Sequence, residues 1–68
     1  MFIVIELQTN GGTTSNLVTA YNTRAEAESH YHTVLAAAAV SSVEVHAAIL
    51  VSSEGFPLMH ACYLHAAQ

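Results

Sequence analysis

The stretch Thr23 to Val40, TRAEAESHYHTVLAAAAV, most constrains what this chain can fold into. It reads as the only helix. Thr23 and Glu26 fit a capping box, in which the Thr hydroxyl and the Glu carboxylate each satisfy a free backbone amide at the helix start. Ala, Glu and Leu dominate its interior, from which Gly and Pro are absent. Ala27, Tyr31, Val34, Leu35 and Ala38 recur at helical spacing and draw one apolar stripe. One stripe asks for one apolar surface to cover, and everything before and after the helix reads as strand.

Met1 to Gln8 is the first strand, rich in β-branched and aromatic residues and apolar on both faces, as a covered central strand is. Asn10 to Asn16, with two Gly and a Ser/Thr cluster, reads as a hairpin loop. Leu17 to Asn22 returns as the second strand. A symmetric loop sets Leu17, Thr19 and Tyr21 beside Leu7, Ile5 and Ile3. Val43 to Ser52 is the third strand and Pro57 to Ala66 the fourth, joined by a tight turn over Ser53 to Phe56 in which Gly55 takes positive φ. That hairpin pairs His46 with Tyr63, Ala47 with Cys62, Leu50 with Met59 and Glu44 with His65. The order is ββαββ: an α+β fold, a single domain over residues 1–68, with one antiparallel sheet and one helix packed on one face. The cleaner apolar rows, Ile3, Ile5 and Leu7 with Val43, Val45, Ala47, Ile49 and Val51, and Leu58, Cys62 and Leu64 beyond them, are expected beneath the helix.

The opposite face then carries Phe2, Val4, Val18, Ala20, Leu50, Met59 and Tyr63, an apolar patch larger than a soluble monomer normally shows. The run Ala36 to Ala39 adds a smooth helix flank that another backbone can approach. A chain of 68 residues, 53% of them hydrophobic and 9% charged, cannot hide that much apolar surface alone. These features point to a homo-oligomer, most simply with two-fold symmetry. Cys62 is the only cysteine, so no intrachain disulfide helps; within its apolar run it is expected to face inward and be inert.

Arg24 is the only Lys or Arg in a chain of formal charge −4. That argues against a nucleic-acid polymer, whose phosphates need several cations, and against an anionic membrane surface. No apolar run reaches the roughly 18 residues of a membrane span, and FIVIEL lacks the basic lead of a signal peptide, so a cytoplasmic protein is expected.

Five histidines invite a metal reading. His30 and His32 are two apart on a helix and point to nearly opposite sides. Glu44 and His46 share a strand face with His65 across the ladder, which is conceivable as a ligand set; a surface Glu–His pair is the plainer account, and no metal is expected. His60 is expected to face the core near Ile49. No acid/base pair for hydrolysis stands out and the chain contains no Asp, so no enzyme is expected. The most suggestive local group is Tyr21, Thr23, Arg24 and the helix N-terminus, whose amides favour an anion that Arg24 can clamp and on which Tyr21 or Tyr31 can stack. His32, brought in with Tyr31 from a neighbouring subunit, completes this candidate ligand site. The plain alternative pairs Arg24 with Glu28 one turn on.

NLVTAY (Asn16 to Tyr21), AES (Ala27 to Ser29), YHTVLAAAAVS (Tyr31 to Ser41) and the pair Val45–His46 resemble small uncharacterised proteins of phages and prophages of gut Firmicutes. His30 stands where such proteins carry a basic residue. The resemblance implies a phage accessory protein in the host cytoplasm that acts by stoichiometric binding. One such class sequesters cyclic dinucleotide or cyclic ADP-ribose immune signals at subunit interfaces; others bind and block a host protein, here through the apolar sheet face. The reading carried forward is a non-catalytic homo-oligomer, without cofactor, that sequesters a small anionic, nucleotide-type ligand.

Overall fold

The computed structural model describes residues 1–65. Four antiparallel strands and one helix follow one another as β1 (Phe2–Asn10), β2 (Thr13–Tyr21), α1 (Arg24–Ala39), β3 (Val45–Ser52) and β4 (Pro57–Leu64). They form one sheet in the order β2-β1-β3-β4. The helix lies where its signals put it. Thr23 is the N-cap and its hydroxyl oxygen accepts from the Glu26 amide at 3.2 Å. The Thr23 hydroxyl donates to the Glu26 carboxylate at 3.0 Å, so the box closes side chain to side chain. Ala27, Tyr31, Val34 and Ala38 are buried and Leu35 partly so, which is the stripe the spacing predicts.

The first hairpin is tighter than expected. Gly11 and Gly12 both have positive φ (61° and 82°) and make a two-residue turn with Asn10 opposite Thr13. Residues expected in a loop, Thr13 to Asn16, are therefore strand. The register moves by one: Leu17 lies opposite Glu6, Thr19 opposite Val4 and Tyr21 opposite Phe2. The second hairpin has the expected pairing of His46 with Tyr63, Ala47 with Cys62 and Leu50 with Met59. The backbone amide of His65 donates to the Glu44 carbonyl at 2.7 Å, continuing that ladder. β4 ends at Leu64 among the described residues; Ala66, where a fourth-strand end is expected, lies outside them.

The larger correction concerns which face the helix covers. The core is Val4, Ala48 and Leu50 of the sheet with Ala27, Tyr31 and Val34 of the helix; Phe2, Tyr21, Leu35, Leu58 and Met59 pack around it. Phe2, Val4, Leu50 and Met59, expected on the open face, thus lie under the helix, whereas Val18 and Ala20 remain on the uncovered face because the β1–β2 register moves by one. The rows containing Ile3, Ile5, Leu7, Val45, Ala47, Ile49 and Val51 point away from the helix, and Cys62 and His60, expected inward, are exposed there. Leu58 still reaches the core because the ladder is irregular between Leu50 and Val51, which offsets its alternation.

Two physical reasons decide the side. Close helix approach needs small residues where backbones meet, and Ala48, Ala27 and Ala38 are all 0% exposed. The polar groups of the covered face also need partners, and the segment after the helix supplies one. Ranking strand faces by apolarity alone misses both.

Candidate functional site

Three polar arrangements lie on the helix side of the sheet. At the helix start, Arg24 Nε sits 2.7 Å from Glu28 Oε2, an exposed pair one turn apart. The sole guanidinium is thereby turned along the helix. Tyr31, expected to stack on a ligand ring, is 3% exposed in the core. Burial, with Tyr63 behind it, raises its pKa, so its phenol stays neutral. His32 is exposed, with its ring against the edge of Tyr31 at 5.4 Å. Of the five candidate residues, Thr23 is the cap, Arg24 is paired, and Tyr21 lines a cavity. That cavity is a groove of about 530 Å³ between α1 and β2, lined by Tyr21, Ala25, Glu26, Ser29, His30 and Thr33. The Tyr21 and His30 rings lie 5.6 Å apart and tilted by 43°. His30, passed over as a ligand residue, is found there because residue 30 lies one turn after Glu26 on the flank facing β2.

The second arrangement joins sheet and helix end. His46 is 4% exposed. Its Nε2 donates to Glu6 Oε2 at 2.6 Å and its Nδ1 lies 3.0 Å from Ser41 Oγ. Gln8 Nε2 donates to the same carboxylate oxygen at 3.0 Å. Burial pushes the Glu6 carboxyl up, but the hydrogen bonds from His46 and then Gln8, with the charge on His46, outweigh it and hold the pKa below its ordinary 4.5. The order Ser41–His46–Glu6 is the one that activates a hydroxyl in acyl-transfer enzymes. Here Ser41 follows the helix C-terminus, where carbonyls point, and its own amide donates to the Ala38 carbonyl at 3.3 Å. The oxyanion of a tetrahedral intermediate formed by attack of Ser41 on a carbonyl would lie near the negative end of the helix dipole. The chemistry suited to this place is a bridge that ties the α1–β3 connection to β1.

This bridge sets a pH dependence. A carboxyl whose folded pKa is depressed contributes stability that is full above its unfolded value and is lost as pH falls through the folded one. Glu6→Gln should therefore cost about 1–3 kcal/mol at pH 7. The cost relative to wild type should shrink steadily below pH 4.5. Urea unfolding of both proteins between pH 7 and pH 3 measures it; a cost that does not change with pH would show that the carboxylate charge is irrelevant.

The third arrangement separates the members of the conceivable metal set. Glu44 Oε1 accepts from the Gly11 amide at 2.6 Å, His46 is engaged as above, and His65 Nε2 donates to the Ala38 carbonyl at 2.9 Å. These three side chains serve three different bonds. No group of three or more His, Cys, Asp or Glu among the described residues is placed to hold an ion.

The other side of the sheet carries no Asp, Glu, Lys or Arg at any of its sixteen ladder positions, and one histidine, His60. Reading across β2, β1, β3 and β4, its rows are Ala20–Ile3–Val51–Pro57, Val18–Ile5–Ile49–His60, Asn16–Leu7–Ala47–Cys62 and Thr14–Thr9–Val45–Leu64. The polar corner is at the glycine turn, and the centre is Ile5, Leu7, Ile49 and Ala47. Nothing in the described chain covers it. Val18 and Leu64 are 57% and 72% exposed. No helix of the described residues is long and apolar enough to cross a membrane. Comparison with protein-family models, with curated proteins and with solved structures returned no match.

Proposed function

We propose that this chain is a non-catalytic binding protein that works as a homo-oligomer, joined through the uncovered sheet face to the same face of a second copy. The observation that carries the reading is the uncharged grid centred on Ile5 and Ile49. Four strands about 4.8 Å apart and about eight residues long make a rectangle of roughly 500 Å². Two such faces remove about 1,000 Å² or more from water, which reaches the range of a specific interface. Sheets stack face to face about 10 Å apart, with side chains interdigitating and strand directions within about 30°. The same patch on both partners makes a closed two-fold pair. A second copy also suits the face chemically. A partner reading it through charge would find none to pair with, whereas Ile, Val and Leu rows match one another. The result is a helix–sheet–sheet–helix stack with both helices outside.

The groove beside Tyr21 and His30 favours a second, subordinate role: each helix carries a ligand-sized cavity on the outside of the assembly. Its two rings suit the flat base of a nucleotide-type ligand, and this keeps sequestration of such a signal as the proposed use of the oligomer. The test of the assembly itself is sedimentation across a dilution series, wild type beside Ile5→Glu. Wild type should sediment as a multiple of 7.2 kDa at micromolar concentration and the variant at half the wild-type mass. A wild type that stays at 7.2 kDa at every concentration would overturn the reading.

A further inference from the structure

We infer that the free edge of β2 is a second self-association surface, distinct from the uncovered face, at which two copies pair antiparallel about a two-fold axis at Leu17 and fuse their sheets into one of eight strands. An exposed strand edge is a row of unpaired amides and carbonyls, and proteins that stay apart blunt such edges with charge, proline, bulges or brevity. β2 uses none of these. It is nine residues long, TTSNLVTAY, without charge or Pro, and its ladder to β1 runs unbroken from Tyr21 to Thr13. The other edge, β4, opens on Pro57 and faces an irregular register at Leu50/Val51. Two large apolar side chains stand out on opposite faces of the same edge strand, Leu17 at 59% and Val18 at 57% exposure.

The register follows from the turn. A two-residue turn makes Asn10 and Thr13 a hydrogen-bonded pair, so the odd residues of β2 bond inward to β1. The outward amides and carbonyls then belong to Thr14, Asn16, Val18 and Ala20. Two copies satisfy all of these when Thr14 meets Ala20 and Asn16 meets Val18 of the other copy. About eight hydrogen bonds form, and all of β2 is used. In that register Leu17 meets its own copy in a non-hydrogen-bonded pair, where side chains come closest. The axis stands perpendicular to the sheet, so both helices stay on one side and both uncovered faces on the other. Edge pairing and face stacking are thus compatible, and with the stacking axis crossing the edge axis at right angles they close into a tetramer of 222 symmetry.

The test is disulfide trapping. Leu17→Cys in a Cys62→Ser background sets two thiols across a pair whose Cα atoms are about 4.5 Å apart, within disulfide reach. Under mild oxidation it should give a two-chain species of twice 7.2 kDa at least about tenfold faster than Thr19→Cys in the same background, which is on the same face but opposite Ser15. Adding Asn16→Pro, which removes an outward donor and leaves the ladder to β1 intact, should bring the rate down to the Thr19→Cys level. Adding Ile5→Glu instead should leave trapping in place, which separates this contact from the face-to-face one. Equal rates for Leu17→Cys and Thr19→Cys, or trapping indifferent to Asn16→Pro, would overturn the inference.

Discussion

Leu50→Ala should cost about 3 kcal/mol or more, at every protein concentration. Leu50 is 0% exposed beneath α1, against Val4 and the helix stripe, and has no room to collapse into. A domain this small holds only about 3–5 kcal/mol in its core, so the variant should be largely unfolded at 25 °C. Its neighbour Ile49 points to the other face. Ile49→Ala removes a similar volume, but its cost should be read in the assembly: small for the dilute chain and rising as concentration brings copies together, because stability gained by association depends on mass action. Chemical denaturation at two concentrations a hundredfold apart distinguishes the two. If Ile49→Ala proved the more damaging at low concentration, the helix would cover the other face.

Ile5→Glu should abolish face-to-face association outright. Ile5 stands between Val18 and Ile49 at the middle of the uncovered grid. A two-fold interface repeats every substitution, so each variant pair would bury two carboxylates near the axis with no Lys or Arg on the face to pair with them. Desolvating even one unpaired charge costs several kcal/mol, more than an interface of about 1,000 Å² can return. The subunit should still fold, since in the single chain the new carboxylate faces water. A cooperative melt with a halving of the assembly's mass is the expected pair of results in circular dichroism and sedimentation. Loss of both folding and assembly would place Ile5 in the core instead.

Much of the architecture was legible from local signals. Thr23, the Ala-rich interior and the stripe from Ala27 to Ala38 define α1 to within a residue at each end. The Ser-Glu-Gly turn sets the register of the second hairpin, because Gly55 (φ 86°) fixes where the chain reverses. The first hairpin was harder. Two glycines among polar residues look like a long loop, and only β-pairing of Thr13 to Asn16 with β1 shows that the turn is two residues. The face assignment failed for a more instructive reason. Alternation says which residues share a face, and those groupings hold in β1, β2 and β3, while the irregularity at Leu50/Val51 moves Leu58 out of the row of Cys62 and Leu64. It does not say which face meets the helix. That is settled by Ala48, which lets the helix close in, and by Glu6, His46 and Ser41, whose hydrogen bonds through His46 tie β1 to β3, 40 positions on, and to the segment after the helix. The candidate ligand group was likewise assembled from chemistry without depth: Tyr31 belongs to the helix stripe, and the stripe is the core.

The account turns on one claim, that the face centred on Ile5 and Ile49 is covered by its own copy. Isotope-filtered NMR on a mixture of labelled and unlabelled chains tests it most directly. Methyl contacts between Ile5, Leu7 or Ile49 of one chain and the same set on the other are the predicted result. Intermolecular contacts confined to other residues, or none at concentrations where the mass exceeds one chain, would contradict it.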